Sequence, residues 1–475
     1  MTDATATLTK APLVEPGGIE AIPAAKRHGS PWQLFATWTA PNLEFATIIV
    51  GSLAVVVFQL SFWTAMAALV LGTALGALTQ GILSTWGPRE GLAQLVLSRT
   101  AFGSRGNILP AALNTVMAGL GWFAVNSVSG AFALSTLTGM PTVLALLIIV
   151  VIEVAVAFIG HDLVQVFERY ASYVLGLIFV VAAVTIFTHA NLGATPKGGG
   201  LGFVGFTLTA AAAFGYAAGW NPYASDYSRY LRASTSTKTI AWAAGLGNFI
   251  SCIVLMAAGA AAATIVGFKI DDPTNSFVSS MPAVIRDFTL IAIAVGAIAA
   301  NALNIYSGAM SFLAAGIKIP FRLRRAIVAL GFGIIGFFIA WSALADAGTK
   351  YENFLLVIAY WIAPWLGIVL VDRLLRRGTE IASIVPDHAK YRNPAGIVSL
   401  VVAGAISVWL FSNQTFYTGV VAKAAPIGDL TPLVGFVLAG LIYWILFRVF
   451  KPRLGGPVED TPAVIIGVDA ADEVA

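Results

Sequence analysis

Apolar runs of about twenty residues recur along the whole chain, and no other feature restricts its fold as strongly. In hydrocarbon every backbone N–H and C=O must be satisfied within the protein, so such runs cross a bilayer as α-helices. Twelve can be placed, near 35–57, 61–83, 106–137, 141–160, 171–188, 203–222, 239–267, 285–315, 326–345, 353–371, 395–412 and 431–450. The composition agrees, with 58% of residues hydrophobic and 11% charged, where a soluble domain carries about 25% charge. The expected fold class is therefore all-α integral membrane, with twelve transmembrane helices.

Lys and Arg in short loops report orientation. With the N-terminus inside, 22 of the 27 Lys and Arg fall in cytoplasmic segments, and the external ones are Lys197, Lys269, Arg286, Lys350 and Lys423. Both termini are expected in the cytoplasm, and the plasma (inner) membrane is the expected location. The positive net charge of +4 thus reflects topology, and nothing here resembles a basic soluble domain for nucleic acid. The partners implied are the lipid bilayer and a small molecule; oligomeric state is not readable. The tails, 1–30 and 451–475, read as unfolded and neither resembles a cleaved signal peptide. One cysteine, Cys252, excludes an intramolecular disulfide and reads as packing.

Helix breaks in corresponding spans of two repeats point to a transporter's binding site. The first run contains TWTAPNLEF, with Pro41 and Asn42 beside Glu44; the sixth contains FGYAAGWNPYASDYSRY, with Gly215, Gly219 and Pro222. Proline removes a backbone donor and displaces the preceding turn. Glycine and proline are also generally common in membrane helices. The pairing of spans one and six nevertheless fits a five-plus-five inverted repeat followed by two helices. That divides the chain into a ten-helix core at 31–372, a cytoplasmic loop at 373–394 and two C-terminal helices at 395–450.

Polar groups inside spans are costly, so each is a functional candidate with a packing alternative. Trp122 and Asn126 lie four apart on one helical face. They suit a planar heterocycle, but such residues also fill and bridge helix crossings. Asn301, Asn304 and Ser307 share a face of the eighth span and could offer a ligand donors and acceptors, or bond to neighbouring helices. Glu44 and Glu153 are acids deep in spans; such a group either pairs or stays protonated, which suits proton coupling. Glu44, beside the first break, is the favoured carrier, and Glu153 is a brace or a second candidate. Asp226 and Arg229 could pair at a cytoplasmic gate or anchor the interface. The histidines, His28, His161, His189 and His388, show no metal-ligand spacing, and Asp271–Asp272 is too slight a cluster for magnesium diphosphate chemistry. No cofactor is called for beyond a coupling ion, and no enzymatic site is evident.

WNPYASDYSRYL at 220–231, SRTAFGSRGNILP at 98–110 leading into GLGWFAVN at 119–126, and NALNIYSGAMSF at 301–312 together resemble nucleobase–cation symporter family 1, in its purine/cytosine permease branch. The resemblance covers the ten-helix core. It implies a leucine-transporter-like fold that imports nucleobases or related heterocycles with Na⁺ or H⁺. It further implies that Trp122 stacks on the substrate while Asn126 and Asn304 bond to its edge. Some relatives place the second stacking tryptophan nine residues before the aspartate matching Asp226, but Ala217 stands there. Phe214, Tyr216 and Trp220 are the candidates for the second face. Sodium-coupled members of this fold take hydroxyl ligands from the eighth helix, whereas residues 291–300, IAIAVGAIAA, contain none. Proton coupling is expected. The expectation is an inner-membrane symporter of cytosine or a purine, the nearest rival being the same machine for allantoin, hydantoin, a thiamine precursor or a pyridoxine-like vitamin. A channel or non-transporting sensor is the remote alternative.

Overall fold

The computed structural model describes residues 18–157, 161–196, 199–270, 272–317, 324–381, 384, 391–454 and 456–457. Lys10, Lys197, Asp271, Lys318, Arg322, His388 and Lys390, and the tail segments 1–17 and 458–475, lie outside the described residues. Eight helices are long and apolar enough to cross a bilayer, and the bent pair Pro31–Asn42 and Phe45–Val56 forms a further span. Shorter apolar helices, Thr142–Val156, Tyr173–His189 and Ile327–Ala343, fall where the fourth, fifth and ninth runs were expected. The chain is all-α; β-pairing among the described residues amounts to a two-residue ladder, Thr379–Glu380 with Gly456–Pro457, and two isolated bridges.

The first span begins at a capping box, Ser30 Oγ accepting from the Gln33 backbone N–H while Gln33 Oε1 accepts from that of Ser30. After Thr39 the chain tightens into one 3₁₀ turn over Ala40–Asn42, and Glu44 is extended, so the halves meet at 59°. Polar side chains satisfy the groups that the break frees, as a membrane interior demands. Asn42 Nδ2 donates to the Trp38 carbonyl at 2.9 Å, Thr47 Oγ1 to the Asn42 carbonyl at 2.6 Å, and the Ala46 N–H to Glu44 Oε2 at 2.9 Å. The seventh span packs backbone to backbone on the second half. A Cβ at Gly51 would stand 1.8 Å from the Met256 carbonyl oxygen, and one at Gly259 the same distance from that of Ile48.

The sixth span corrects the sequence reading. The α-helix Gly202–Ala218 runs unbroken through Gly215, whose missing side chain admits the Leu355 carbonyl of the tenth span 2.2 Å from where a Cβ would be. Gly215 is a packing residue, not a break. The departure falls at Gly219, Trp220 and the 3₁₀ turn Asn221–Tyr223, where the dihedrals stay near helical values and the span keeps its direction. A second departure went unforeseen: Met117–Trp122 in the third span forms a π-helical turn. There Gly119 and Gly121 leave room for the rings of Phe332 and Phe354, and such turns gather at functional sites.

Both tails fold further than expected. Ile22 N–H bonds to the Gly91 carbonyl, Arg27 Nη1 to that of Pro88 at 2.6 Å, and His28 N–H to that of Tyr230. At the other terminus Arg376 donates to the carbonyls of Arg453 and Leu454. The Arg453 and Leu454 carbonyls thus serve as acceptors for the buried Arg376, which composition alone does not reveal. Arg376 also pairs with Asp372 at 2.8 Å, and Asp372 accepts from Tyr443 and from Thr100. With Asn393, at the start of the eleventh span, donating to the Tyr443 hydroxyl and the Thr100 carbonyl, this cluster ties the last two helices to the core.

Candidate substrate site

Trp122, at the end of the π turn, and Trp220, at the departure in the sixth span, face each other across the bundle. Their indoles are 9° from parallel with centroids 6.5 Å apart. A flat ring between two others needs about 7 Å of plane-to-plane spacing, two contacts of roughly 3.5 Å, so the indoles must move apart to admit one. Tyr216, Phe354 and Tyr351 meet Trp122 edge-on at 5.3, 5.2 and 6.3 Å. Gly219 brings backbone to the Trp122 edge, a Cβ there standing 3.1 Å from Nε1. Of the three sixth-span aromatics, then, Trp220 lies parallel to Trp122, Tyr216 lies across it, and Phe214 packs half-buried into the main hydrophobic cluster.

The first-span break holds this second indole. Trp220 Nε1 donates to Asn42 Oδ1 at 2.8 Å, and Asn42 Nδ2 also reaches Ser251 at 3.1 Å. Pro41 and Asn42 are both buried in the 3₁₀ turn. Trp38 packs against Trp220 from behind, at 6.0 Å and 56°.

One helical turn on from Trp122, Asn126 joins a cluster of three amides. Asn126 Nδ2 donates to Asn301 Oδ1 at 3.0 Å and Asn304 Nδ2 to the same oxygen at 3.2 Å. Asn301 Nδ2 donates to the Phe123 carbonyl at 3.0 Å and to Ser127 Oγ at 3.2 Å. Ser127 donates in turn to Glu153 Oε2 at 2.6 Å. Asn126 Oδ1, Asn304 Oδ1 and Glu153 Oε1 are buried without a partner. The sequence reading offered Asn301, with Asn304 and Ser307, either a ligand-binding or a helix-bridging role, and the structure gives it bonds to Asn126, Ser127 and the Phe123 carbonyl of the third span. Glu44, by contrast, is engaged at both oxygens, capping Phe45–Val56 through Oε2 and accepting from the Tyr216 hydroxyl at 3.3 Å through Oε1. That hydroxyl also bonds Thr47.

At the arginine-rich end the expected pairing of Asp226 with Arg229 is replaced by other partners. Asp226 Oδ1 accepts from the Gln94 N–H at 2.8 Å, and Arg229 Nε meets the Asp226 backbone carbonyl, not its carboxylate, at 3.3 Å. The guanidinium turns to the Gly18 and Glu20 carbonyls, at 3.2 and 3.3 Å, and to the Tyr306 hydroxyl at 3.2 Å. A buried arginine needs several acceptors at once, and the segment before the first span supplies them. Among the described residues no group of His, Cys, Asp and Glu forms a metal site.

Residues 21–435 match the sequence model of a family described as permeases for cytosine/purines, uracil, thiamine and allantoin. The chain is 29% identical over 463 residues to the purine-cytosine permease fcyB of Emericella nidulans, covering 93% of this chain and 90% of that one. It is 25% identical over 439 residues to the purine-cytosine permease FCY2 of Saccharomyces cerevisiae, covering 87% and 81%. Among solved structures it superposes on Mhp1, described as a nucleobase-cation-symport-1 family transporter in a closed conformation with bromovinylhydantoin bound. That match has a TM-score of 0.73 at 19% identity, over 92% of this chain and 96% of that one. The leucine-transporter-like fold expected from the sequence is the fold of the chain.

Proposed function

Since the chain belongs to the family of permeases for cytosine/purines, uracil, thiamine and allantoin, a family of transporters and not of enzymes, we propose that it is a secondary active symporter that brings a nucleobase, cytosine or a purine, across the plasma membrane. The observation that carries this reading is the near-parallel pair Trp122 and Trp220 with the amides of Asn126 and Asn304 beside it. Two flat apolar faces hold a planar ring, and side-chain amides read its polar edge. A base that leaves those amides unpaired is rejected. The lysine and arginine bias of the loops supports cytoplasmic termini.

The coupling ion is H⁺ in this reading. Where the eighth span meets the first-span break it presents Gly296, with the Leu43 carbonyl oxygen 2.4 Å and Glu44 Cβ 3.0 Å from where its Cβ would be. Residues 291–300 of this span carry no hydroxyl side chain, which favours the proton over a Na⁺ that needs several hard oxygen ligands. Glu153 supports the proton alternative, with one oxygen bonded to Ser127 and the other unpartnered. Glu44 is already committed as a helix cap.

Competition of labelled cytosine uptake by unlabelled cytosine, adenine, hypoxanthine, uracil, allantoin, hydantoin and pyridoxine tests the reading. Cytosine or purines should compete best, collapse of the proton gradient should abolish accumulation, and Trp122→Ala should abolish uptake at unchanged membrane expression. Best competition by allantoin, hydantoin or pyridoxine would move the cargo to another heterocycle. A strict Na⁺ requirement with indifference to the pH gradient would remove the proton.

A further inference from the structure

We propose that Asn301 is a positioning residue that sets the hydrogen-bonding polarity of the substrate slot, by holding the amides of Asn126 and Asn304 with their carbonyl oxygens free for the ligand. The inference rests on the nucleobase reading above and narrows it.

One backbone group fixes the arrangement. The Phe123 carbonyl can only accept, so the Asn301 atom 3.0 Å from it is the NH₂. Asn301 therefore points its carbonyl oxygen the other way, and an oxygen can only accept. The Asn126 and Asn304 atoms at 3.0 and 3.2 Å from it must then be NH₂ groups as well. This holds from donor and acceptor chemistry whichever way any single amide is first drawn. The consequence is that Asn126 and Asn304 have spent a donor on Asn301 and retain unpartnered carbonyl oxygens, although both residues are almost wholly buried.

Buried acceptors without partners are uncommon in proteins and costly to leave empty. Asn126 lies one helical turn from Trp122, and Asn304 is joined to it through the shared Asn301 oxygen, so both acceptors belong to the cluster that starts on the Trp122 face. The ligand edge that completes them must carry N–H groups. Two acceptors call for two neighbouring N–H bonds: the exocyclic amine of cytosine or adenine supplies both from one nitrogen, whereas uracil and hypoxanthine offer a single ring N–H beside an oxo group. Asn301 itself is fully engaged by Asn126, Asn304, Phe123 and Ser127 and acts through its neighbours. Because Ser127 also bonds Glu153 at 2.6 Å, the same hub joins the recognition amides to a candidate proton carrier.

The test measures displacement of labelled cytosine from purified protein by the pairs cytosine and uracil, adenine and hypoxanthine. The wild-type protein should prefer the amino member of each pair by about tenfold or more, the worth of one unpaired buried polar group. Asn301→Ala releases both amides to rotate, and the preference should fall below about threefold at normal protein yield. Asn301→Leu, close to the native volume, serves if the alanine variant does not accumulate. Asn301→Asp, which when protonated donates to Phe123 and accepts from both amides, should keep the preference. Uniformly weaker binding with an unchanged ratio in the alanine or leucine variant would reduce Asn301 to a packing role and overturn the inference. A wild-type preference for the oxo members would overturn it while leaving the nucleobase reading in place. If none of the bases binds, that reading and this inference fall together.

Discussion

Glu44 and Glu153 are both buried inside the protein within membrane spans, yet their surroundings assign them different work. Glu44 ends one helix break and begins the next helix, with both oxygens taken by the Ala46 N–H and the Tyr216 hydroxyl. Glu153 accepts from Ser127 at one oxygen, has the Asn301 amide beside it, and has no partner in hydrogen-bonding geometry at the other oxygen. Glu153→Gln should therefore abolish uphill accumulation while preserving exchange of internal for external substrate, measured in proteoliposomes with and without a pH gradient. Glu44→Ala should lower thermal stability instead, by about 1 kcal/mol for a lost cap. The reverse outcome would return Glu44 to the carrier role that its position beside Pro41 suggested. At this scale Trp122, Asn126 and Asn304 were legible from spacing, because four residues make one helical turn whatever the tertiary context. The partnership of Trp220 with Trp122 was not, because it depends on how the chain passes Pro222 and on the Asn42 side chain from a distant span.

The two prolines show why breaks are harder to read than spans. Pro41 precedes Leu43 and Glu44, which leave the helical region, and the first span bends by 59°. Pro222 sits in a turn whose neighbours stay near helical dihedrals, and the sixth span runs on as one segment without the sharp bend of the first. The difference lies in the capping: Glu44 caps a new helix, whereas no side chain caps the turn after Trp220. The π turn of the third span carries two glycines as its signal, but glycine is frequent in membrane helices for several reasons. Another connection is testable at this scale. Asp429, in the loop before the last helix, accepts from the Thr431 and Asn413 N–H groups at 2.9 Å and from the Tyr360 hydroxyl, so it links the tenth span to the last. Burial raises its pKa above the ordinary 3.8, against the lowering effect of those hydrogen bonds. A raised carboxyl pKa means the folded state holds the proton more tightly, so this stabilisation is present at acid pH and fades as pH rises through the raised value. Asp429→Asn should cost about 1–3 kcal/mol at low pH. That deficit should shrink as the pH rises above 4 in thermal unfolding; a deficit that grows would reverse the assignment.

For the molecule as a whole, the twelve apolar runs determine the architecture, because hydrocarbon leaves the backbone little choice. What lay beyond the sequence was the packing at the arginine-rich end, where residues expected to hang free are fastened by main-chain carbonyls. Gly18 and Glu20 hold Arg229, which also touches Tyr306 of the eighth span, and His28 bonds the Tyr230 carbonyl. Removing residues 1–28 should uncover this end. In a Cys252→Ala background, a cysteine replacing the buried Ser228 should react with a soluble thiol reagent about tenfold faster after the deletion, as expected when a few net hydrogen bonds are lost. An unchanged rate would mean that the segment rests on this end without covering it. The same fastening also has a consequence for biosynthesis. The amino-terminal segment leaves the ribosome first, but Tyr230 and Arg229 come after the sixth span and Tyr306 lies in the eighth. The segment therefore cannot take its seat until more than half the chain has been made and inserted, and this closure is among the last steps of assembly.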